Sequence, residues 1–299
     1  MGYLFILLAL SAGAVKAYCG KKTSGHMVEQ RVAMLISFVR MTICALFGGV
    51  IILVSGDFAA LSFDSETLLI SALSGVANAL FVSTWLMAVR KGAYMLVEIF
   101  LTLGTFVAIG CSAVFYNEAV SLRQVIGLVG LVCAVILMCS YNNSIKEKIT
   151  FSAVLILMAC GLSSGLADFS QKMFVKTCSG VPVSVFNFYT YVFSSATLLV
   201  IYFALLPAEK NKAERKPIGP IIRGIAVYLT VMAVCLYLNS YFKTKAAAVF
   251  PAPQLYSMLL GGSLIAGTAM SSVLFKEKIT IKSLAGIALA FVSLLLINL

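Results

Sequence analysis

Three charged residues interrupt long apolar stretches of this sequence: Arg40, Glu98 and Asp168. A charge at the centre of a bilayer costs about 2.5–3.5 kcal/mol on insertion scales, so each of these residues needs a physical reason. Arg40 lies about ten residues into its apolar run, or about 15 Å deep at a rise of 1.5 Å per residue. It is either paired between helices or a counter-ion for an anionic substrate.

Glu98 and Asp168 are candidates for ion coupling, because a carboxyl group in a low-dielectric cavity can exchange a proton near neutral pH. Glu98 is also a candidate substrate contact. Both residues could instead pair with Arg40 or with Lys16 and Lys172. Those two lysines lie near predicted helix ends, where long cationic side chains usually extend to the interface. The alternative for the lysines is an anion-binding pair that faces a cavity.

Amides and aromatic residues inside the apolar stretches form a second group of candidates, because lipid cannot satisfy their polar atoms. Aromatic walls with a few amides suit a small organic solute. The alternative is hydrogen bonding between helices. The predicted substrate-binding residues, besides Arg40 and Glu98, are Asn78, Trp85, Asn187, Tyr191, Asn239, Gln254 and Tyr256.

The composition indicates which elements position these residues. The chain has 299 residues, of which 61% are hydrophobic and 11% charged, and a mean hydropathy of +1.04. A soluble domain has about 25% charged residues. Because the bilayer admits only helices and closed barrels, and the apolar runs are continuous rather than alternating, we predict an all-α integral membrane protein.

The same composition disfavours several other classes. The net charge of +11 suits cytoplasmic loops and anionic headgroups, and no basic stretch is long enough for a nucleic-acid-binding domain. The eight cysteines are scattered without a CxxC pair, which argues against a disulfide framework or a metal site. The chain has no P-loop motif, so it cannot drive transport with ATP by itself. We expect no catalytic residue, cofactor or metal.

A short motif occurs twice and divides the chain into two halves, 1–142 and 150–299. Each copy precedes an apolar run, and its matching residues are 159 positions apart: Glu118 and Glu277, Ser121 and Thr280, Gly127 and Gly286. Ser121 and Thr280 are expected to cap the following helices, with the glutamates near the positive ends of those helices.

Each half contains five apolar stretches of roughly membrane-spanning length. Because five is odd, two related halves must insert in opposite orientations, as inverted repeats do in many transporters. The predicted spans are 2–19, 30–54, 67–89, 93–116, 121–141, 151–174, 182–206, 219–242, 247–274 and 281–298.

Ten helices in two repeats, with Glu-x-x-[Ser/Thr]-x5-Gly before the last helix of each, resemble the drug/metabolite transporter superfamily. The EamA-like family is the most similar branch, and the resemblance covers the whole chain. It implies a secondary transporter, often an exporter, that works by alternating access around a cavity between helices 1–4 and 6–9. Pro251 and Pro253 begin the fourth helix of the second half, as in the family, but the first half has no proline at 94–100.

The resemblance implies a multi-pass protein of the cell membrane, of the bacterial inner-membrane kind. Its expected partners are a small-molecule substrate, membrane lipid and a proton or other coupling ion, without nucleic acid, and the protein is a monomer or a homodimer. The competing interpretation is an integral membrane enzyme acting on a lipid or isoprenoid. Such enzymes usually have an acidic metal motif or a nucleophile–base set, and neither pattern is present in the apolar runs.

Loop charges predict that both termini face outside, whereas members of the resembled family usually have both termini in the cytoplasm. Lysine and arginine concentrate in the loops after odd-numbered helices, which the positive-inside rule places in the cytoplasm.

We expect a reporter that is active only in the cytoplasm to be inactive when fused after Leu299. The same reporter inserted between Glu209 and Pro217 should be active. Activity of the Leu299 fusion would contradict this orientation.

Overall fold

The computed structural model describes residues 1–24, 30–61, 64–90, 94–139, 151–205, 218–275 and 281–298. These residues form ten α-helices and one short 3-10 helix, with no strand among them, so the all-α prediction is confirmed. The helices are α1 (Gly2–Ser24), α2 (Gln30–Ser55), α3 (Ser65–Arg90), α4 (Tyr94–Tyr116), α5 (Leu122–Cys139), α6 (Phe151–Thr177), α7 (Val183–Leu205), α8 (Ile218–Ala247), α9 (Ala252–Phe275) and α10 (Ile281–Asn298); the 3-10 helix is Asp57–Ala60.

Six of the described helices are long and apolar enough to cross a membrane: α1, α2, α3, α6, α7 and α8. Shorter apolar segments lie in α4, α5 and α10. Large apolar side chains such as Val54, Val200 and Phe291 are exposed on the outside of the bundle. Such outward apolar faces suit lipid rather than water, and together these features indicate an integral membrane protein.

Side-chain caps fix the starts of two helices. The Ser121 N–H donates to Gln124 Oε1 (3.0 Å) and the Gln124 N–H donates to Ser121 Oγ (3.3 Å), which is a capping box at α5. The expected role of Ser121 is therefore confirmed. Asp64 Oδ2 accepts hydrogen bonds from the Thr67 N–H and hydroxyl at the start of α3, and these bonds lower the pKa of Asp64.

The predicted break between the eighth and ninth helices, at 243–246, is wrong. Helix α8 continues to Ala247 and α9 begins at Ala252, so the connection lies at 248–251 and ends at Pro251. A proline ring fits ahead of or within the first turn of a helix, where a backbone N–H has no helical acceptor. Lys243 and Lys245, interpreted as loop residues, therefore belong to α8.

The principal contacts join helices of different halves. Helix α1 packs on α8, α3 on α6, α2 on α7, α5 on α10, α4 on α6, α3 on α7, α2 on α8 and α1 on α9. If α1 is exchanged with α6, α2 with α7, and so on through α5 and α10, the same set of helix pairs results.

The α4–α6 contact brings two backbones together. A methyl group added at Gly104 would collide with the Gly161 carbonyl oxygen and lie 3.2 Å from the Gly165 nitrogen. A methyl group at Gly165 would in turn lie 2.8 Å from Val107 Cβ. Small residues permit this approach, which brings dispersion contacts that apolar lipid cannot outcompete.

We expect Gly104→Ala to destabilise the protein by about 1–3 kcal/mol, because the added methyl group forces the two helix backbones apart. Gly110→Ala is the matched control on the same helix, since no atom lies within 4 Å of a Cβ there. Thermal unfolding in detergent measures both. Equal midpoints for the two variants would contradict the close α4–α6 packing.

Candidate functional site

Four charged side chains from four helices lie together where the two halves meet. We call Lys16 (α1), Arg40 (α2), Asp168 (α6) and Lys243 (α8) the central charge cluster. The Lys243 ammonium donates a hydrogen bond to the Asp168 carboxylate, and Lys16 is within electrostatic range of the other three. With three cations and one anion, the cluster is net positive.

Arg40 has no carboxylate partner among the residues that the structure describes. Its Nε is buried without a hydrogen-bond acceptor, and its Nη1 reaches only the Met232 sulfur, at 4.0 Å. Cys44 and Tyr191 are the other polar groups within its electrostatic range. The proposed ion pair between Arg40 and a carboxylate is therefore not seen.

An aromatic wall runs along α7 and α8, and its member Tyr191 is within electrostatic range of Arg40. The Tyr191 hydroxyl donates to the Leu236 carbonyl (3.2 Å), and the Tyr191 and Tyr237 ring centroids are 5.8 Å apart. The Tyr241 ring stacks on Tyr237 at 6.2 Å. Of the predicted substrate-binding residues, Tyr191 is thus brought near Arg40.

Asn187 belongs to a buried polar network that joins three helices. Its Oδ1 accepts a hydrogen bond from Ser240 Oγ (2.7 Å), and its Nδ2 donates to the Val183 carbonyl (3.1 Å). Ser240 Oγ in turn accepts from Gln171 Nε2 at 3.4 Å. Gln171 Oε1 is buried without a described partner, so this network still has one free acceptor.

Three other predicted residues bond to backbone carbonyls. Asn239 Nδ2 donates to Ala9 O of α1 (2.7 Å), and the Tyr256 hydroxyl donates to the Asp168 carbonyl (2.5 Å). Asn78 Nδ2 donates to Ser74 O of its own helix (2.9 Å). The first two join helices near the central charge cluster, whereas the bond of Asn78 is local.

The remaining predicted residues lie elsewhere in the fold. Trp85 is half-buried and packs with apolar residues of α6, and Gln254 is half-buried in the first turn of α9. Glu98 lies in α4, but its side chain is outside the described residues. The substrate and ion-coupling roles of Glu98 therefore stay predictions.

A second charged site, the connector ion pair, is formed by Glu118 and Lys172. The Lys172 ammonium lies 2.9 Å from Glu118 Oε1 and donates to the carbonyls of Ala247 (3.2 Å) and Phe250 (2.7 Å). Only 2% of the Lys172 side chain is exposed. The prediction that Lys172 extends to the membrane interface is wrong, because carbonyls and a carboxylate inside the bundle satisfy its charge.

Glu118 acts on α9 rather than on the helix that follows it in sequence. Its Oε2 accepts a hydrogen bond from the Ala252 N–H (2.7 Å), at the positive N-terminal end of α9. Lys176 lies 3.6 Å from Oε1.

Partial burial alone would raise the pKa of Glu118, but the bonds from Lys172 and Ala252 and the nearby lysine charges lower it below its ordinary value. The group therefore contributes stability above its unfolded pKa of about 4.5, and this contribution is lost as the pH falls towards the lower folded pKa.

The sequence interpretation did not assign Lys243, Gln171 and Ser240 to any site. Lys243 was missed because the helix break was placed at charged residues. Pro251 and Pro253 were the better signal, since prolines in the first turn mark a helix start. Nothing in the sequence indicated that Gln171 and Ser240 would meet across two helices.

Comparison with known proteins shows the fold but not the function. No family model matches this sequence, and no curated protein matches it. A crystal structure of another protein superposes with a TM-score of 0.78 at 12% sequence identity, covering 99% of this chain and 95% of the other. The whole chain therefore has a fold that occurs in a solved protein.

We expect Lys172→Met to destabilise the protein by about 3–5 kcal/mol, because Glu118 would remain in place without its buried cation. Lys176→Met is the matched control on the same helix. Lys176 is 45% exposed, and loss of an exposed pair costs at most about 1 kcal/mol. Thermal unfolding in detergent above pH 6 measures both. Similar midpoints for the two variants would show that the connector ion pair does not stabilise the fold.

Proposed function

We propose that this protein is a secondary-active transporter that moves a small metabolite or drug across the cell membrane by alternating access. The observation that supports this most directly is the central charge cluster. It lies in an apolar helix bundle, is built from helices of both halves, and includes a cation without a described ion-pair partner. Uncompensated charge inside a membrane bundle usually marks a substrate or ion pathway.

The proposed architecture is two inverted five-helix repeats. The repeated Glu-x-x-[Ser/Thr]-x5-Gly motif and the odd number of helices per half favour it. The set of helix pairs, which is unchanged when each helix is exchanged for the one five places away, also supports it. The resemblance to the EamA-like family is consistent with the same function.

Two groups of helices are suited to move against each other in such a carrier. Helices α3, α4 and α6 form one group, because α6 packs on both of the others. Helices α1, α8 and α9 form the second. The pair Asp168–Lys243 and the bonds of Lys172 to Ala247 and Phe250 connect the two groups. We propose that these contacts close one end of the substrate pathway.

Flux measurements in proteoliposomes test the carrier function. We expect at least one solute from a panel of amino acids, dicarboxylates, sugar phosphates and cationic drugs to cross faster than in protein-free liposomes, chemically unchanged. A pH gradient should change the rate if a proton is coupled. Entry of no solute in either gradient direction would contradict the proposal. Conversion of a lipid to a new product would favour the membrane-enzyme alternative.

A further inference from the structure

We propose that Lys16 and Arg40 form a binding subsite for an anionic group of the substrate, a carboxylate or a phosphate. This inference rests on the proposed carrier function and specifies its substrate class. It starts from the charge balance of the central charge cluster and from the buried Arg40 Nε, which has no described hydrogen-bond acceptor.

Among the described residues, the charge balance of the central charge cluster favours binding of another anion. Asp168 is the only acidic residue within electrostatic range of Lys16 that the structure describes, and its carboxylate is paired with Lys243. Lys16 and Arg40 are thus left with a net charge of two and no described ion pair. A charge left without a partner in a low-dielectric bundle costs several kcal/mol, so a site that retains two of them gains from an anionic ligand.

The surroundings of Arg40 explain why a ligand, rather than the protein, would satisfy it. Besides Lys16, the groups with a described polar or electrostatic interaction with Arg40 are Met232, Cys44 and Tyr191. The Cys44 thiol donates to the Ala233 carbonyl (3.2 Å) and the Tyr191 hydroxyl donates to Leu236, so neither group supplies an anion. The Arg40 Nε is buried without a partner.

The two cations have complementary binding chemistry. The planar guanidinium of Arg40 presents parallel N–H donors that match two oxygens of a carboxylate or phosphate, whereas the Lys16 ammonium adds a point charge. The aromatic wall reaches Arg40 at Tyr191 and continues through the rings of Tyr237 and Tyr241. An organic anion would place its charged group between Lys16 and Arg40 and its carbon skeleton against these rings.

Ligand-induced thermal shifts and isothermal titration of the purified protein in nanodiscs test the subsite. The probes are succinate and glycerol 3-phosphate, with succinamide and glycerol as their neutral counterparts. We expect at least one of the two anions to bind and neither neutral compound to do so. The better anion shows whether the subsite prefers a carboxylate or a phosphate.

Substitutions locate the subsite. Lys16→Gln and Arg40→Gln should each weaken binding of the preferred anion at least about tenfold, since each removes a charged hydrogen-bond donor. Lys22→Gln and Arg223→Gln are matched controls, because both residues are exposed, on α1 and α8. Arg40→Lys keeps the charge and should retain part of the affinity. Unchanged unfolding of the ligand-free variants would show that they are folded.

The outcomes separate this inference from the carrier proposal. Binding of the anions with equal affinity by Lys16→Gln, Arg40→Gln and the wild type would overturn the subsite. Proteoliposome flux of neutral or cationic solutes alone would also overturn it, while leaving the carrier function intact. Anion binding that depends on both residues, without flux of any solute, would support the subsite and contradict the carrier.

Discussion

An ammonium group buried among apolar helices must be paired on nearly all sides, and Lys172 imposes this constraint on three parts of the chain. Its partners are Glu118 in the α4–α5 connection, the carbonyl of Ala247 at the end of α8, and the carbonyl of Phe250 in the connection that follows. The same carboxylate receives the first N–H of α9. The Lys172 cation at the end of α8 and the Glu118 anion at the start of α9 complement the dipoles of these two helices. This arrangement fixes the start of α9, from which Tyr256 reaches the Asp168 carbonyl.

The central charge cluster has the opposite character. Among the described residues its one carboxylate, Asp168, is bonded to Lys243, and Lys16 and Arg40 have no described ion pair. A protein selected for stability alone would replace such cations with apolar residues at little cost. Positions where buried charge is left unbalanced are commonly functional sites. The contrast between a satisfied lysine at the connector and an arginine Nε without a described acceptor at the centre therefore locates the site more sharply than either feature alone.

The sequence predicted the helices well because a continuous apolar run is a local signal. Every predicted span corresponds to a helix. The largest errors arose where helices were ended ahead of charged residues although α1 continues to Ser24 and α8 to Ala247. Partners were much harder to predict. Ser240 meets Asn187 across 53 residues of sequence, and Lys172 meets Glu118 from another helix. Which face of each helix meets which neighbour depends on packing, and a single sequence does not contain that information.

The two proposed moving groups share a buried apolar cluster, in which Ile109 of α4 and Phe169 of α6 lie with Leu255 of α9, and polar contacts join them as well. Asp168, Gln171 and Lys172, within two turns of α6, each bond to α8 or to the segment that follows it. Elsewhere α6 meets α4 through direct backbone packing at Gly161 and Gly165. An apolar seal would lose its hydrophobic stabilisation when water entered. A charged pair loses its Coulomb attraction on opening but recovers hydration, so the two terms largely cancel. Ion pairs therefore suit a contact that must open and close at a small net cost in free energy, and the glycine contact keeps α6 attached to α4 while it does so.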